Sequence, residues 1–479
     1  MNFVQAIKES GFYHLCSVIA AWGAAQWNRS WIVDRLSSQR SGQARSEASV
    51  FYRLARGFHR ALSGLFERLG LTRALRGSLF CRPALWCALT VALTPFLPTM
   101  GALALTLVSF GSLLLLYGRE REKRLVYFPA NKFIYTLALI YVYATATSVT
   151  FRGSLFVGMI SVLFMLFAIV FMNAVTKWSQ VRLICALSVL SGTAVALYGL
   201  YQYVFRHRFA SVWTDTDLFT TFSFRVFSTF ANPNVLAEYF LLVLPLAAAL
   251  VFTAKNWKGR IFWLCCGGAT MLCLLLTYSR GAYLGILFAI ALFFVMLDRR
   301  FILLGILALA VAPLIMPASI MERFLSIGNM EDTSSSYRWN IYMGSLAMLK
   351  DYWFSGVGPG MAAFNEVYPA YAYSATTAQH SHNLFLQITS DTGIFGLGAF
   401  CLAVFSYFRT SFTALRGEKD FESRVFNITG IAAIAGFMVQ SMTDYTFYNY
   451  RVMLMFWATL ALALLFTRCG ELKEGDRHA

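Results

Sequence analysis

Apolar runs of 16–24 residues recur along this chain, and no other feature limits its fold as tightly. A helix rises about 1.5 Å per residue, so roughly 20 residues cross the ~30 Å hydrocarbon core of a bilayer. Inside lipid the backbone must satisfy its own polar groups, which leaves helices or closed barrels. Continuous runs of this length fit helices; barrel strands alternate in hydropathy. The composition agrees: 58% of residues are hydrophobic and 13% charged, against roughly 25% charged in soluble domains. The expected fold is an all-α polytopic membrane protein. Spans are predicted at 83–98, 99–117, 133–150, 154–175, 182–204, 235–253, 261–278, 281–297, 301–316, 384–408, 425–443 and 452–467. That makes about twelve, or thirteen if Phe12–Val33, interrupted by Asn28 and Arg29, also crosses.

A net charge of +17 raises the question of nucleic acid, but the placement of the charge points to a bilayer. With the loop after residue 117 on the cytoplasmic side, 29 of the 40 Lys and Arg fall on inner segments and nine on outer ones. The reverse orientation would break the positive-inside tendency. The C-terminus is therefore expected in the cytoplasm. Residues 1–33 form an apolar or interfacial start, without the basic onset and cleavage site of a signal peptide. Residues 34–82 are basic, with Phe51, Leu54, Phe58, Leu62, Leu65 and Leu69 at helical spacing, which predicts a helix lying on the inner leaflet. The polytopic domain occupies 83–467 and a cytoplasmic tail 468–479. The nine cysteines lie in apolar runs or at cytoplasmic margins, a pattern that speaks against disulfides and structural zinc.

Most connections between spans are short, so two long outer ones stand out. The first, 206–234, is basic and aromatic. The second, 317–383, is a large outer loop with an expected amphipathic helix: Trp339, Met343, Leu346, Leu349 and Trp353 keep helical spacing after possible caps at Thr333–Ser336. The run Gly356-Val-Gly-Pro-Gly360 stops that helix; it lacks the Lys-Ser/Thr of a phosphate loop. The loop closes on His380-Ser-His-Asn383.

Three arginines occupy turns at the membrane edge: Arg225, Arg280 and Arg338. Guanidinium pairs bidentately with phosphate oxygens and stays charged, so arginines facing one cavity would hold a diphosphate; the alternative is that each snorkels to headgroups. His382 is the candidate general base, since imidazole is the side chain suited to taking a proton near neutral pH. Asn383 stands beside it to orient a sugar or the ring, and His380 is the weaker alternative base. Asp391, two turns into the next span, and Asp444 and Arg451, at the last outer turn, are supporting candidates; the alternative reading is that the last two only pair with each other. Trp353, Phe354, Tyr368, Tyr371 and Tyr373 are placed to stack on sugars or to form an interfacial belt. No metal-ligand spacing is present, so no metal and no cofactor are expected. Outside the cytoplasm a transferase needs a donor that arrives activated, and a polyprenyl diphosphate-linked glycan has that property.

The segments Arg225–Asn234, Tyr278-Ser-Arg-Gly281, Tyr337-Arg338-Trp339, Gly356–Gly360, His382–Gln387 and Asp391-Thr-Gly393 with Gly396 resemble, in order and spacing, the bacterial O-antigen ligase and Wzy polymerase superfamily. The resemblance covers residues 130–467. It implies a GT-C-like helical fold, metal-independent transfer and an undecaprenyl diphosphate-linked glycan donor. Arg225, Arg280 and Arg338 would bind diphosphate, and His382 would be catalytic. The acceptor would be a glycan, a lipid or the cell wall, at the outer face of the bacterial cytoplasmic membrane. A ligase and a Wzy-type polymerase both fit this pattern. A transporter or flippase for a lipid-linked sugar is the competing class, though it would favour charges at mid-membrane and internal repeats.

Overall fold

The computed structural model describes residues 50–477 except 76, 121–124, 210–223, 299, 304, 306, 308–310, 312–316 and 327–332, together with three positions before residue 50. The expected N-terminal segment 1–33, residues 34–49, the middle of the first long loop and most of the span 301–316 therefore lie outside the described residues.

Every regular element among the described residues is helical. In chain order they are α1 (Val50–Arg68), α2 (Pro83–Leu93), α3 (Thr99–Arg119), α4 (Asn131–Ala146), α5 (Phe151–Ala174), α6 (Trp178–Val204), α7 (Pro233–Thr253) and α8 (Trp257–Leu275). Then follow α9 (Arg280–Leu297), α10 (Ala318–Leu325), α11 (Thr333–Tyr352), α12 (Met361–Val367), α13 (Leu384–Leu415), α14 (Phe421–Ser441), α15 (Tyr450–Phe466) and α16 (Cys469–Arg477). Eleven of the twelve expected spans coincide with a helix. Among the described residues seven helices are long and apolar enough to cross a membrane: α3, α5, α6, α7, α8, α9 and α13. An eighth is added if α15 and α16, bent by 77°, count as one span. The count falls below twelve for a physical reason. Helix α2 has 11 residues, α4 has 16 and α15 has 17, each short of the ~20 that match a bilayer core. Helix α14 has the length, with 21 residues, but carries Glu422, Arg424, Asn427 and Gln440.

The bundle is layered by burial. Helix α15 is buried along almost its whole length, as are α7 and α14, while α8 stands at the periphery. Helix α7 packs on α14, α9 on α14 and α5 on α15. The α9–α14 crossing is very close: a Cβ added at Gly285 would sit 2.7 Å from the Gly436 carbonyl oxygen, and the converse holds at Gly436. Small residues let membrane helices approach in this way. The consequence is local to the site, because the crossing brings the start of α9, with Arg280, against the end of α14.

The 317–383 excursion builds a small core of its own from Met348, Val357, Ala363, Phe364, Val367 and Tyr368. Helix α11 forms where expected, but it buries Ile341, Ser345 and Met348, while Trp339, Leu346 and Trp353 of the predicted stripe point away from the protein. The glycine run docks on α13. Val357 N–H donates to Ser390 O at 2.7 Å and Ile394 N–H to Trp353 O at 2.8 Å. Gly393 interrupts α13 with φ 69°, and a Cβ there would meet the Phe354 carbonyl oxygen at 2.0 Å.

On the opposite side of the sequence, α1 packs against α3. The Phe66 ring closes over Gly118, and His59 Nε2 reaches the Tyr117 carbonyl at 2.8 Å. Phe58, Leu65 and Leu69 of the predicted amphipathic face are exposed.

Candidate functional site

Asp444 organises the site. It lies in the turn between α14 and α15 and is buried. Its Oδ1 accepts the Tyr445 N–H at 2.9 Å and faces His382 Nδ1 at 3.2 Å. Its Oδ2 accepts from Arg338 Nη2 at 3.3 Å and from Asn234 Nδ2 at 3.1 Å. Burial pushes this carboxyl upward in pKa, but Arg338 and His382 outweigh it and hold Asp444 well below the usual carboxylate range. The group is thus ionised at neutral pH. Four chain segments far apart in sequence, around residues 234, 338, 382 and 444, meet on its two oxygens.

The arginines gather around this hub. Arg225 is placed by a strand-like contact, Val226 N–H to Leu276 O at 3.1 Å. Its Nε donates to Thr277 O at 2.8 Å and its Nη2 to Asn234 Oδ1 at 2.7 Å. Asn234 therefore bridges Arg225 to Asp444. Arg280 opens α9, is buried, and donates from Nη1 to Ser326 O at 3.1 Å. Arg323, on α10, is buried as well and donates from Nε to Tyr278 O at 3.1 Å. Burial lowers the Arg225 pKa to about 9, and the positive charges of Arg323, Arg338 and Arg280 contribute. A guanidinium at about 9 still carries its charge at neutral pH. Four mutually repelling cations in a buried setting favour any anion that enters among them.

His382 itself sits in the left-handed region, φ 49°. A non-glycine residue pays for that conformation, and such outliers concentrate at functional sites. Several contacts hold it. Tyr342 Oη donates to His382 O at 3.0 Å, and Ser381 N–H donates to Gln387 Oε1 at 2.8 Å. Asn383 caps α13: its Oδ1 accepts from Phe385 and Leu386 N–H, and its Nδ2 donates to Met442 O at 2.8 Å.

Of the residues singled out in the sequence, Arg225, Arg280, Arg338, His382 and Asp444 come together. Asn383 is alongside, with its amide engaged by the protein at both ends. His380 lies directly behind His382, with ring centroids 4.2 Å apart. Asp391 stands a step away and supports the turn indirectly, since Gln387 Nε2 donates to Asp391 Oδ1 at 2.8 Å. Arg451 departs from expectation. It does not pair with Asp444; its Nη1 donates to the carbonyls of Thr229 at 3.1 Å and Pro95 at 3.3 Å, and its guanidinium lies 4.5 Å from the Phe230 ring centroid. Both Asp444 oxygens are instead occupied by Asn234, Arg338, His382 and the Tyr445 N–H.

Sequence reasoning missed Arg323, Asn234 and Glu238 as site residues. Glu238 lies one turn beyond Asn234 on α7, is fully buried, and acts electrostatically on Asp444. An acidic residue within an apolar run was the signal that would have found it. For Arg323 the sequence carries no such mark. An apolar groove between α7, α8 and α9, lined by Leu244, Ala248, Trp263, Met271 and Phe293, is remote from this chemistry. Leu244 is ten residues beyond Asn234, roughly 15 Å along the helix.

Fold and site together define a multi-pass helical membrane protein with a cationic site built around a His–Asp pair. A family model described as O-Antigen ligase matches residues 261–401. Over this segment the chain is similar to the O-antigen ligase family, in line with the resemblance carried by its sequence motifs. The matched segment contains Arg280, Arg338, His382 and Asp391; Arg225 and Asp444 lie outside it. No curated protein matches the chain.

Proposed function

We propose that this chain is a membrane glycosyltransferase that moves a glycan from an undecaprenyl diphosphate-linked donor to an acceptor hydroxyl. The observation that carries the reading is the convergence of Arg225, Arg280, Arg323 and Arg338 on one end of the bundle, beside the His382–Asp444 pair. In this reading the arginines hold the diphosphate and stabilise the charge that builds on it as it departs. Asp444 engages His382 Nδ1, which leaves Nε2 as the atom that takes a proton. The acceptor oxygen attacks the anomeric carbon and its proton passes to His382 Nε2. The bond between that carbon and the phosphate oxygen breaks, and both of its electrons leave with the lipid diphosphate. The leaving group needs no proton at neutral pH, so no general acid is required.

The reading extends to the membrane. We place the site on the outer face of the bacterial cytoplasmic membrane, in a GT-C-like fold of about twelve spans with the C-terminus inside, because 29 of 40 basic side chains fall on the segments opposite the site. A Wzy-type polymerase would use the same chemistry with a second lipid-linked glycan as acceptor. Purified protein supplied with a defined lipid-linked donor tests the proposal. Release of lipid diphosphate coupled to transfer is the expected outcome. A ligase adds one glycan to a separate acceptor and a polymerase yields a ladder. Donor translocation in liposomes without transfer would overturn the reading in favour of a flippase.

A further inference from the structure

We propose that His380 is a positioning residue: its ring Nδ1 accepts the His382 backbone N–H and holds His382 in the left-handed turn from which its imidazole reaches Asp444. The contact is 3.3 Å long. It acts at the one place where it is needed, because His382 is a non-glycine residue with φ 49° and has an intrinsic tendency to leave that conformation. Tyr342 Oη anchors the carbonyl of the same residue at 3.0 Å. Both polar groups of the His382 peptide backbone are thus gripped by side chains, His380 at the N–H and Tyr342 at the C=O. The side chain is then delivered to Asp444 at 3.2 Å.

The surroundings of His380 suit an acceptor rather than a base. Its ring is buried, lies nearly parallel to Tyr448 at 5.2 Å with an interplanar angle of 19°, and meets Tyr445 edge-on at 5.4 Å. Burial, followed by the neighbouring His382, lowers its pKa to about 4. The ring is therefore neutral at physiological pH. With Nδ1 accepting, the proton resides on Nε2. A protonated ring would lose the lone pair that the turn depends on. The spacing His-Ser-His thus assigns two different roles to two identical side chains: the buried one shapes the turn and the more accessible one reacts.

The inference rests on the reading of His382 as the base, so the experiment separates the two. In His380→Asn the side-chain oxygen stands near the position of Nδ1 and keeps the acceptor, while the ring is lost. His380→Phe keeps the stacked ring and loses the acceptor. Glycan transfer, donor KM and melting temperature are measured for both, with His382→Ala alongside. The expected result is that His380→Phe lowers kcat by about 10–100-fold, as for a misplaced reacting group, with donor KM and melting temperature near wild type. His380→Asn should stay within about threefold of wild-type kcat, on the same reasoning. A buried ring with only a packing role predicts the opposite order, and that order overturns the proposal. Equal impairment of the two variants also overturns it. Should His380→Phe fail to accumulate, His380→Leu, which also lacks an acceptor, replaces it in the comparison. Full turnover in His382→Ala would remove the base itself and the proposal with it. Loss in His382→Ala together with full activity in His380→Phe would remove only the positioning role.

Discussion

His382 and Asp444 divide one task between them, and each fails in its own way when changed. Removing the imidazole in His382→Ala should leave donor binding intact and cut turnover by ~10²–10⁴-fold, the typical contribution of a positioned base. Separate measurement of donor binding and transfer checks this; normal turnover would show that another group takes the proton. Asp444→Asn keeps the shape but removes the charge that faces His382 and Arg338. Its folded-state pKa is depressed, so the stability it contributes is present above the ordinary carboxylate pKa and is lost only as pH falls through the depressed value. At neutral pH the variant should therefore melt earlier than the parent, and the gap should narrow in strong acid. Among the arginines, Arg280→Lys keeps the charge and loses the planar fork, so transfer should fall sharply while the protein still inserts. Arg323→Gln should weaken donor binding as well, since Arg323 is part of the same positive field as Arg225. Unchanged donor affinity in both variants would detach the arginines from the diphosphate.

Between residues and the whole molecule stand two joints that set the site's geometry. The first is the α9–α14 crossing at Gly285 and Gly436. A methyl group at either has backbone in its way, and overpacking of this kind costs about 1–3 kcal/mol. The second is the seam between the glycine run and α13. Gly393→Ala puts a Cβ at 2.0 Å from a carbonyl oxygen and forces an L-residue to φ 69°. The strain alone is of order 1–3 kcal/mol. Both variants should lower the melting temperature in detergent. Gly285→Ala should also lower transfer, because it pushes Arg280 away from the Asp444 turn. A Gly285→Ala protein with parental melting and transfer would show that the crossing tolerates separation.

For the whole molecule the decisive property is sidedness. Single cysteines placed at 206–208 and at exposed positions of 353–383 in a cysteine-free variant should react with an impermeant thiol reagent in intact cells, and those at exposed positions of 53–75 should not. Labelling at 53–75 would invert the topology and move the site to the cytoplasm. Transfer is also expected to continue with a chelator and without added nucleotide. Loss on chelation that a single divalent ion restores would refute the arginine-only account of leaving-group stabilisation.

The sequence by itself determined the class and the positions of the helices. Apolar length is a local property, and eleven expected runs became helices, with ends displaced by at most about seven residues. It also marked Arg225, Arg280, Arg338 and His382, because a charged or titratable side chain at a membrane edge is conspicuous against so few charges. Only the tertiary structure decided the pairings. Asp444 is adjacent in sequence to neither His382 nor Arg338, and whether it met them or Arg451 depended on how α13, α14 and α15 cross. Arg323 entered the site through the fold alone, and Asn234, at the end of a segment the sequence had singled out, owes its bridge between Arg225 and Asp444 to the fold. The same holds for His380 and His382. Two residues apart and chemically identical, they differ in burial and in backbone conformation, and a left-handed turn packed against Tyr445 and Tyr448 is what separates them.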